Sequence, residues 1–228
     1  MRQRLAAVKK RLTQADIVMN DSKSVNKPTS LSWLGYEISK DGLKPAREKA
    51  ERIRKLEAPR SMKEVRQLLG IVNYYSRYIP SMATIAEPLH DLLRKNRKFR
   101  WGQREQQSLY KIKSEICRSE TLAYFDTSSK VKTYLTTDAS EEGLGAVLEQ
   151  EQADGIIKPV TYWSSKLRKY EKNYSISEKE ALAAVSAMNK FRKYLLGRKF
   201  TLRTDHRALT ALLSQKCGKS SSARTERL

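Results

Sequence analysis

The sequence predicts a mixed α/β protein, a helical stretch followed by a sheet that one helix crosses. Three observations predict it. An apolar stripe at helical spacing runs between Ser61 and Pro80. After Lys130 the apolar period shortens to two and stays there through three runs. A helical run and one more strand run come next, and this strand, helix, strand order lets a right-handed crossover lay the last strand parallel to the first.

The elements follow in chain order. Leu5, Val8, Leu12 and Ala15 recur at helical spacing among basic residues, so a helix opens the chain. LSWLGYEISKDGLKP, Leu31 to Pro45, has two short apolar segments around Ser39, Lys40, Asp41 and Gly42, and an Asp-Gly pair so flanked signals a hairpin. Ser61 and Glu64 stand at capping-box spacing. From there Val65, Leu68, Leu69, Val72, Tyr75 and Ile79 form the face of an amphipathic helix of about five turns that Pro80 stops. Tyr74, Tyr75 and Tyr78 are able to stack on bases, but tyrosines at helical spacing more often serve a core.

Val131, Thr133 and Leu135 alternate with Lys132, Tyr134 and Thr136, and two further strands end at Gln150 and in IKPVTYWSS. Short connections make these an antiparallel meander. In SISEKEALAAVSAMNKFRKYLL, the residues Ala181, Ala184, Val185, Met188, Phe191 and Leu195 share one helix face. KFTLRTDH supplies the fourth strand.

Asp138 ends the first of these strands, although a carboxylate withdrawn from water is costly without a partner. With the first and fourth strands as neighbours, ~4.8 Å apart, Asp138 and Asp205 lie side by side. The crossover helix offers Glu178 or Glu180 from its first turns. Such a cluster repels itself without cations. Two divalent ions ~3.5–4 Å apart relieve the repulsion and assist phosphodiester hydrolysis, and all-oxygen ligands suit magnesium or manganese. Structural roles compete for each residue: Asp138 as a strand-end turn former, Asp205 as a cap for HRALTALL, and Glu180 as the third position of a box with Ser177.

Forty-six basic residues against 25 acidic ones give a net charge of +21, spread along the chain with clusters at Arg2 to Arg11 and Arg94 to Arg104. Nucleic acid is the expected partner. Cys117, Cys217, His90 and His206 have no zinc-ligand spacing. No apolar run approaches the ~18 residues that span a bilayer, so a soluble intracellular protein, of cytoplasm or nucleus, is expected. The 228 residues suffice for one large domain or two small ones.

SWLGYEISKDGLKP, VRQLLGIVNYYSRYIP, IAEPLHDLL, FRWGQREQQSL, TDASEEGLGAVLEQ, YWSSKLRKYEKNYSISEKEALAAV and FRKYLLGRKFTLRTDHRAL together resemble the pol polyproteins of gypsy-like LTR retrotransposons, in the same order and over nearly the whole chain. The resemblance implies a palm-end hairpin at 1–44, a thumb-like helical region at 45–95 and an RNase H-like mixed sheet with a crossover helix at 96–228, truncated at its C-terminus. It implies that Gly35 and Tyr36 sit at the turn of a hairpin gripping the primer strand. It also selects Glu180 over Glu178, so that Asp138, Glu180 and Asp205 match the family's catalytic metal ligands, with Mg²⁺ or Mn²⁺ as cofactor and RNA–DNA hybrid or duplex as partner.

Two departures accompany it. The polymerase signature Tyr-x-Asp-Asp is absent, so DNA synthesis is not expected of this polypeptide. The family's fourth metal-binding aspartate, in a motif resembling Asn-x-x-Ala-Asp-Ala-Leu-Ser-Arg, has no counterpart, and the strand that would flank the fourth strand is expected to be missing with it, leaving an edge. The expected function is a metal-dependent ribonuclease acting on hybrids. Its alternatives are an inactive nucleic-acid-binding remnant and a gene fragment without a role.

Overall fold

A computed structural model describes residues 2–20, 24–25, 28–118, 120–128, 130–206 and 209. Helix α1 (Arg2–Gln14) is followed by a three-stranded antiparallel meander of β1 (Ser30–Trp33), β2 (Tyr36–Ser39) and β3 (Gly42–Pro45). The expected hairpin at Lys40–Asp41 is present, and a second turn precedes it. There Leu34 and Gly35 have φ of 48° and 83°, the positive values a tight two-residue hairpin turn requires.

Helices α2 (Arg47–Arg54), α3 (Met62–Tyr74), α4 (Met82–Ile85), α5 (Glu87–Asp91) and α6 (Gln103–Arg118) build the first core. Val65, Leu68, Leu69, Val72, Tyr75 and Ile79 are all buried in it, as the stripe predicts. The expected five turns are not continuous, however: α3 stops at Tyr74, and a 3₁₀ turn spans Ser76–Tyr78. The Ser76 hydroxyl donates to the Asn73 carbonyl at 2.8 Å, a local bond that competes with helix continuation. The tighter turn brings Tyr78 and Ile79 into the core before Pro80. Ser61 Oγ caps the helix by accepting from Glu64 N, but Glu64 turns its carboxylate to Arg60 N at 2.8 Å, so the box is half formed.

The second sheet has the order β6–β5–β4–β7, from β4 (Thr133–Ala139), β5 (Gly143–Glu151), β6 (Ile157–Lys166) and β7 (Thr201–Arg203). The first three pair antiparallel, and β7 runs parallel to β4 with Thr136 opposite Arg203. The crossover helix α7 (Ile176–Lys190) covers one face, and α8 (Arg192–Leu195) follows it. Leu135, Ala146, Leu148, Val160, Ala187, Phe191 and Leu195 form that core. The helix face differs in part from expectation: Ala183 and Ala187 are buried, whereas Val185 and Met188 are half-buried, because small residues let α7 settle close to the sheet.

Residues 121–124 tie the two sheets together. Leu43 and Leu122 exchange backbone bonds of 2.8 Å, and Ala123 N donates to the Pro159 carbonyl at 2.8 Å. Gly42, at φ +136°, permits the crossing: a Cβ there would stand 2.1 Å from the Leu122 oxygen. Gln150, fully buried, accepts from Asp126 N and donates to the Asp126 carbonyl and to Thr133 Oγ1, which fixes the chain as it enters β4.

Candidate metal centre

The alternation of β4 sets its two faces. Thr133, Leu135 and Thr137 are buried beneath α7, so Asp138 projects from the opposite, exposed face. Its partner on β5 is Gly145, which has no side chain to cover it. Continuing the β4–β7 register two residues past Thr136 and Arg203 sets Asp205 level with Asp138.

The third carboxylate is decided by the start of α7. Ser175 is the N-cap: its Oγ accepts from Glu178 N, while Glu178 Oε2 accepts from Ser175 N at 2.9 Å. The box is thus Ser175 with Glu178, and Ser177 with Glu180 forms none. That leaves Glu180, half a turn further, to point at the end of β4. It is 3 % exposed, and its Oε1 accepts from Ala139 N at 3.1 Å. Its Oε2 is buried without a hydrogen-bond donor.

One oxygen from each of Asp138, Glu180 and Asp205 lies within 4.8 Å of the others. Burial pushes the Glu180 carboxyl above its ordinary value. The Ala139 N–H opposes that rise, the Asp205 and Asp138 carboxylates add to it, and His206 opposes it. A buried acceptor without a donor, facing two further carboxylates, fits a hard divalent cation, which would satisfy the lone pairs and offset the repulsion. The donor set is all oxygen, with no thiolate or imidazole among the three.

The competing roles fare differently. A turn-forming role for Asp138 is not what its surroundings display, since Ser140 is the residue whose Oγ bonds both Gly143 N and Gly143 O at 3.0 Å. The expected helix in HRALTALL, which Asp205 would cap, falls largely outside the described residues.

Gly35 and Tyr36 are remote in sequence from this cluster and belong to the first sheet. Tyr36 donates to the Tyr74 carbonyl at 2.9 Å, and its ring stacks on Tyr74 at 5.0 Å and on Tyr78 at 6.0 Å. Burial and the neighbouring tyrosines push its hydroxyl well above the usual range. The Gly35 carbonyl accepts from Ala46 N and from Tyr75 OH. Beside them a shallow, mostly apolar groove runs past Lys49, Arg52, Gln67, Gly70 and Ile71. The periodicity assigns Tyr75 and Tyr78 to the core correctly, but Tyr74 remains half-exposed on the groove. Only the hairpin's position across from α3 reveals that role.

Among the described residues no helix is long and apolar enough to cross a membrane. Residues 128–228 match the family of RNase H-like domains found in reverse transcriptase. The Transposon Tf2-3 polyprotein of Schizosaccharomyces pombe is 35 % identical over 204 residues, covering 89 % of this chain and 15 % of the relative. The Tf2-4 polyprotein of the same organism matches equally. The chain therefore spans about 15 % of the length of these curated relatives. Among solved structures, the foamy viral protease-reverse transcriptase in complex with dsDNA superposes with a TM-score of 0.79 at 22 % identity, over 98 % of this chain and 46 % of the other. The same enzyme in complex with RNA/DNA hybrid gives 0.76 at 23 % identity, over 99 % and 31 %. These establish a shared fold.

Proposed function

We propose, from the premise that this chain belongs through residues 128–228 to the RNase H-like domains found in reverse transcriptase and is homologous over most of its length to retrotransposon polyproteins, that it hydrolyses the RNA strand of an RNA–DNA hybrid. The observation that carries the reading is the buried, donorless Glu180 Oε2 facing Asp138 and Asp205. Asp138, Glu180 and Asp205 would hold Mg²⁺, or Mn²⁺ in its place. The ions supply Lewis-acid stabilisation of the scissile phosphate and a water of lowered pKa.

The chain's own residues position this chemistry. Ala139 N–H fixes one Glu180 oxygen, so the other is aimed without searching rotamers. Asp138, on β4, and Asp205, two residues past the end of β7, are both exposed and leave an open side by which a phosphodiester reaches the cluster. The net charge of +21 attracts the polyanion. The reverse transcriptase neighbours in complex with RNA/DNA hybrid and with dsDNA support such a duplex as the ligand. Gly35 and Tyr36 would present the β1–β2 turn to the duplex beside α3.

The division into a palm end at 1–44, a thumb-like part at 45–95 and an RNase H-like part at 96–228 belongs to the same proposal. The burial of Leu109, Ile112 and Ile116 of α6 among the thumb-like helices argues for closing that middle part after Arg118. The protein would act in solution, in cytoplasm or nucleus.

The test is cleavage of an end-labelled RNA–DNA hybrid with Mg²⁺ or Mn²⁺, by the unmutated protein and by Asp138→Asn. Metal-dependent cutting that Asp138→Asn abolishes is expected. Tight hybrid binding without cutting, unchanged in Asp138→Asn, would replace this reading with that of a binding protein.

A further inference from the structure

We propose that Lys166 is a positioning residue, the catch of an ionic latch that holds the carboxylate-bearing sheet against the helical bundle. Lys166 ends β6, and its Nζ lies 3.0 Å from Glu87 Oε1 and 3.9 Å from Asp91 Oδ1, both on α5. The two acids are well shielded, with side chains 17 % and 12 % exposed. Lys166 also helps hold the Glu87 carboxyl below its ordinary value against the effect of burial.

The remainder of the junction mixes one apolar contact, Tyr162 of β6 against the bundle core, with polar ones. Ala83 N donates to Ser164 Oγ at 2.8 Å, and Arg77 reaches the Val160 carbonyl at 3.4 Å. A cleft at the seam is lined by Asn73, Ser76, His90, Ser165 and Lys190 among others. The bundle core and the core under α7 are separate apolar clusters. Residues 121–124 tether the parts at one end of the seam, and across its partly polar, cleft-bearing remainder they pivot unless something specific holds them.

The acids have cations of their own on the bundle side. Arg94 stands 2.7 Å and Arg97 3.5 Å from Asp91, and Arg104 stands 3.3 Å from Glu87. If the sheet swings away, Glu87 and Asp91 keep these partners and the Lys166 ammonium returns to water. Neither side then carries a stranded buried charge, so opening is not prohibitive and the latch is reversible. Ionic strength weakens it.

Its consequence for cutting rests on the nuclease reading above, whereas the latch itself does not. A duplex seated on the bundle meets Asp138, Glu180 and Asp205 at a register set by how the sheet is docked. Loosening the seam would spread the cuts over neighbouring phosphodiesters without touching the metal ligands.

Hydrogen exchange of the full chain tests the latch directly, because the Ala83 amide bonds across the seam while the Ala139 amide bonds to Glu180 inside the sheet domain. Lys166→Met should lower Ala83 protection about fivefold, as expected for a pair worth roughly 1 kcal/mol, and leave Ala139 unchanged. Lys166→Arg should restore it. Raising salt on the unmutated protein should produce the same selective loss, which keeps the test independent of any variant's folding. Unchanged Ala83 protection in both experiments overturns the latch. On an end-labelled hybrid, Lys166→Met should broaden the distribution of cut sites, and lost protection with an unaltered cut pattern overturns the positioning role. If the unmutated protein makes no cut, the nuclease reading fails and the exchange data still decide the latch.

Discussion

At Glu180 the competing demands of burial and charge can be separated by titration. Its folded carboxyl binds a proton more readily than the unfolded one, so it favours the fold fully below the ordinary carboxylate range. That contribution is lost as pH rises through the elevated folded value. Without metal, Glu180→Gln should therefore be more stable than the unmutated protein at neutral pH, and the difference should vanish in acid; matched thermal melts across pH would reveal the sign. With Mg²⁺ or Mn²⁺ at about a hundredfold excess over its dissociation constant, the unmutated melting temperature should rise by about 5–10 °C, from roughly 2.7 kcal/mol of linkage. Asp138→Asn should remove that rise. Gly42→Ala makes the opposite case, since its Cβ would strike the Leu122 carbonyl; a loss of about 2–3 kcal/mol in denaturant unfolding, or failure to fold, is expected. The carboxylates were legible in the sequence because strand alternation and crossover handedness are strong rules. Glu180 was not separable from Glu178 by spacing alone, because the choice depends on which serine caps α7, and Ser175 and Ser177 are both competent caps.

Helix α7 carries Glu180 on its second turn, so its first turn determines where that carboxylate points. Ser175→Ala removes the acceptor for Glu178 N and should cost about 1 kcal/mol, measured by equilibrium denaturation. A lowered affinity for the divalent ion should accompany it, since fraying at Ser175 frees Glu180 from its aim. Sequence periodicity located this helix, the meander and α3, but it misjudged lengths. The stripe through Ile79 reads as one helix, because a 3₁₀ turn can carry buried residues onward on the same side. Composition and periodicity gave no sign of the turn at Leu34–Gly35, where only the resemblance put a hairpin: Leu34 adopts φ 48° despite its side chain, and apolar residues in a turn give no composition signal.

For the molecule as a whole, the excess of 46 basic over 25 acidic residues should make binding to duplex or hybrid steeply salt-sensitive. If about six phosphates are neutralised, affinity should fall about a thousandfold between 50 and 200 mM salt, as read by fluorescence anisotropy. A shallow dependence would count against an extended cationic track. Charge points to the class of partner proposed above, whereas the joining of the two sheets was illegible, because LAYF, residues 122–125, has no pattern that distinguishes a linker from a strand. That join bears on how the protein can be taken apart. The family match begins at residue 128, a natural place to start a shorter polypeptide, yet a fragment cut there leaves behind Ala123 and Asp126. Pro159 would lose its amide donor and Gln150 its two backbone partners, stranding a wholly buried amide at about 1–3 kcal/mol for each group left unmet. Fragments starting at residue 121 should stay soluble where those starting at 128 precipitate, so the excision point for the sheet domain on its own lies seven residues upstream of the family match.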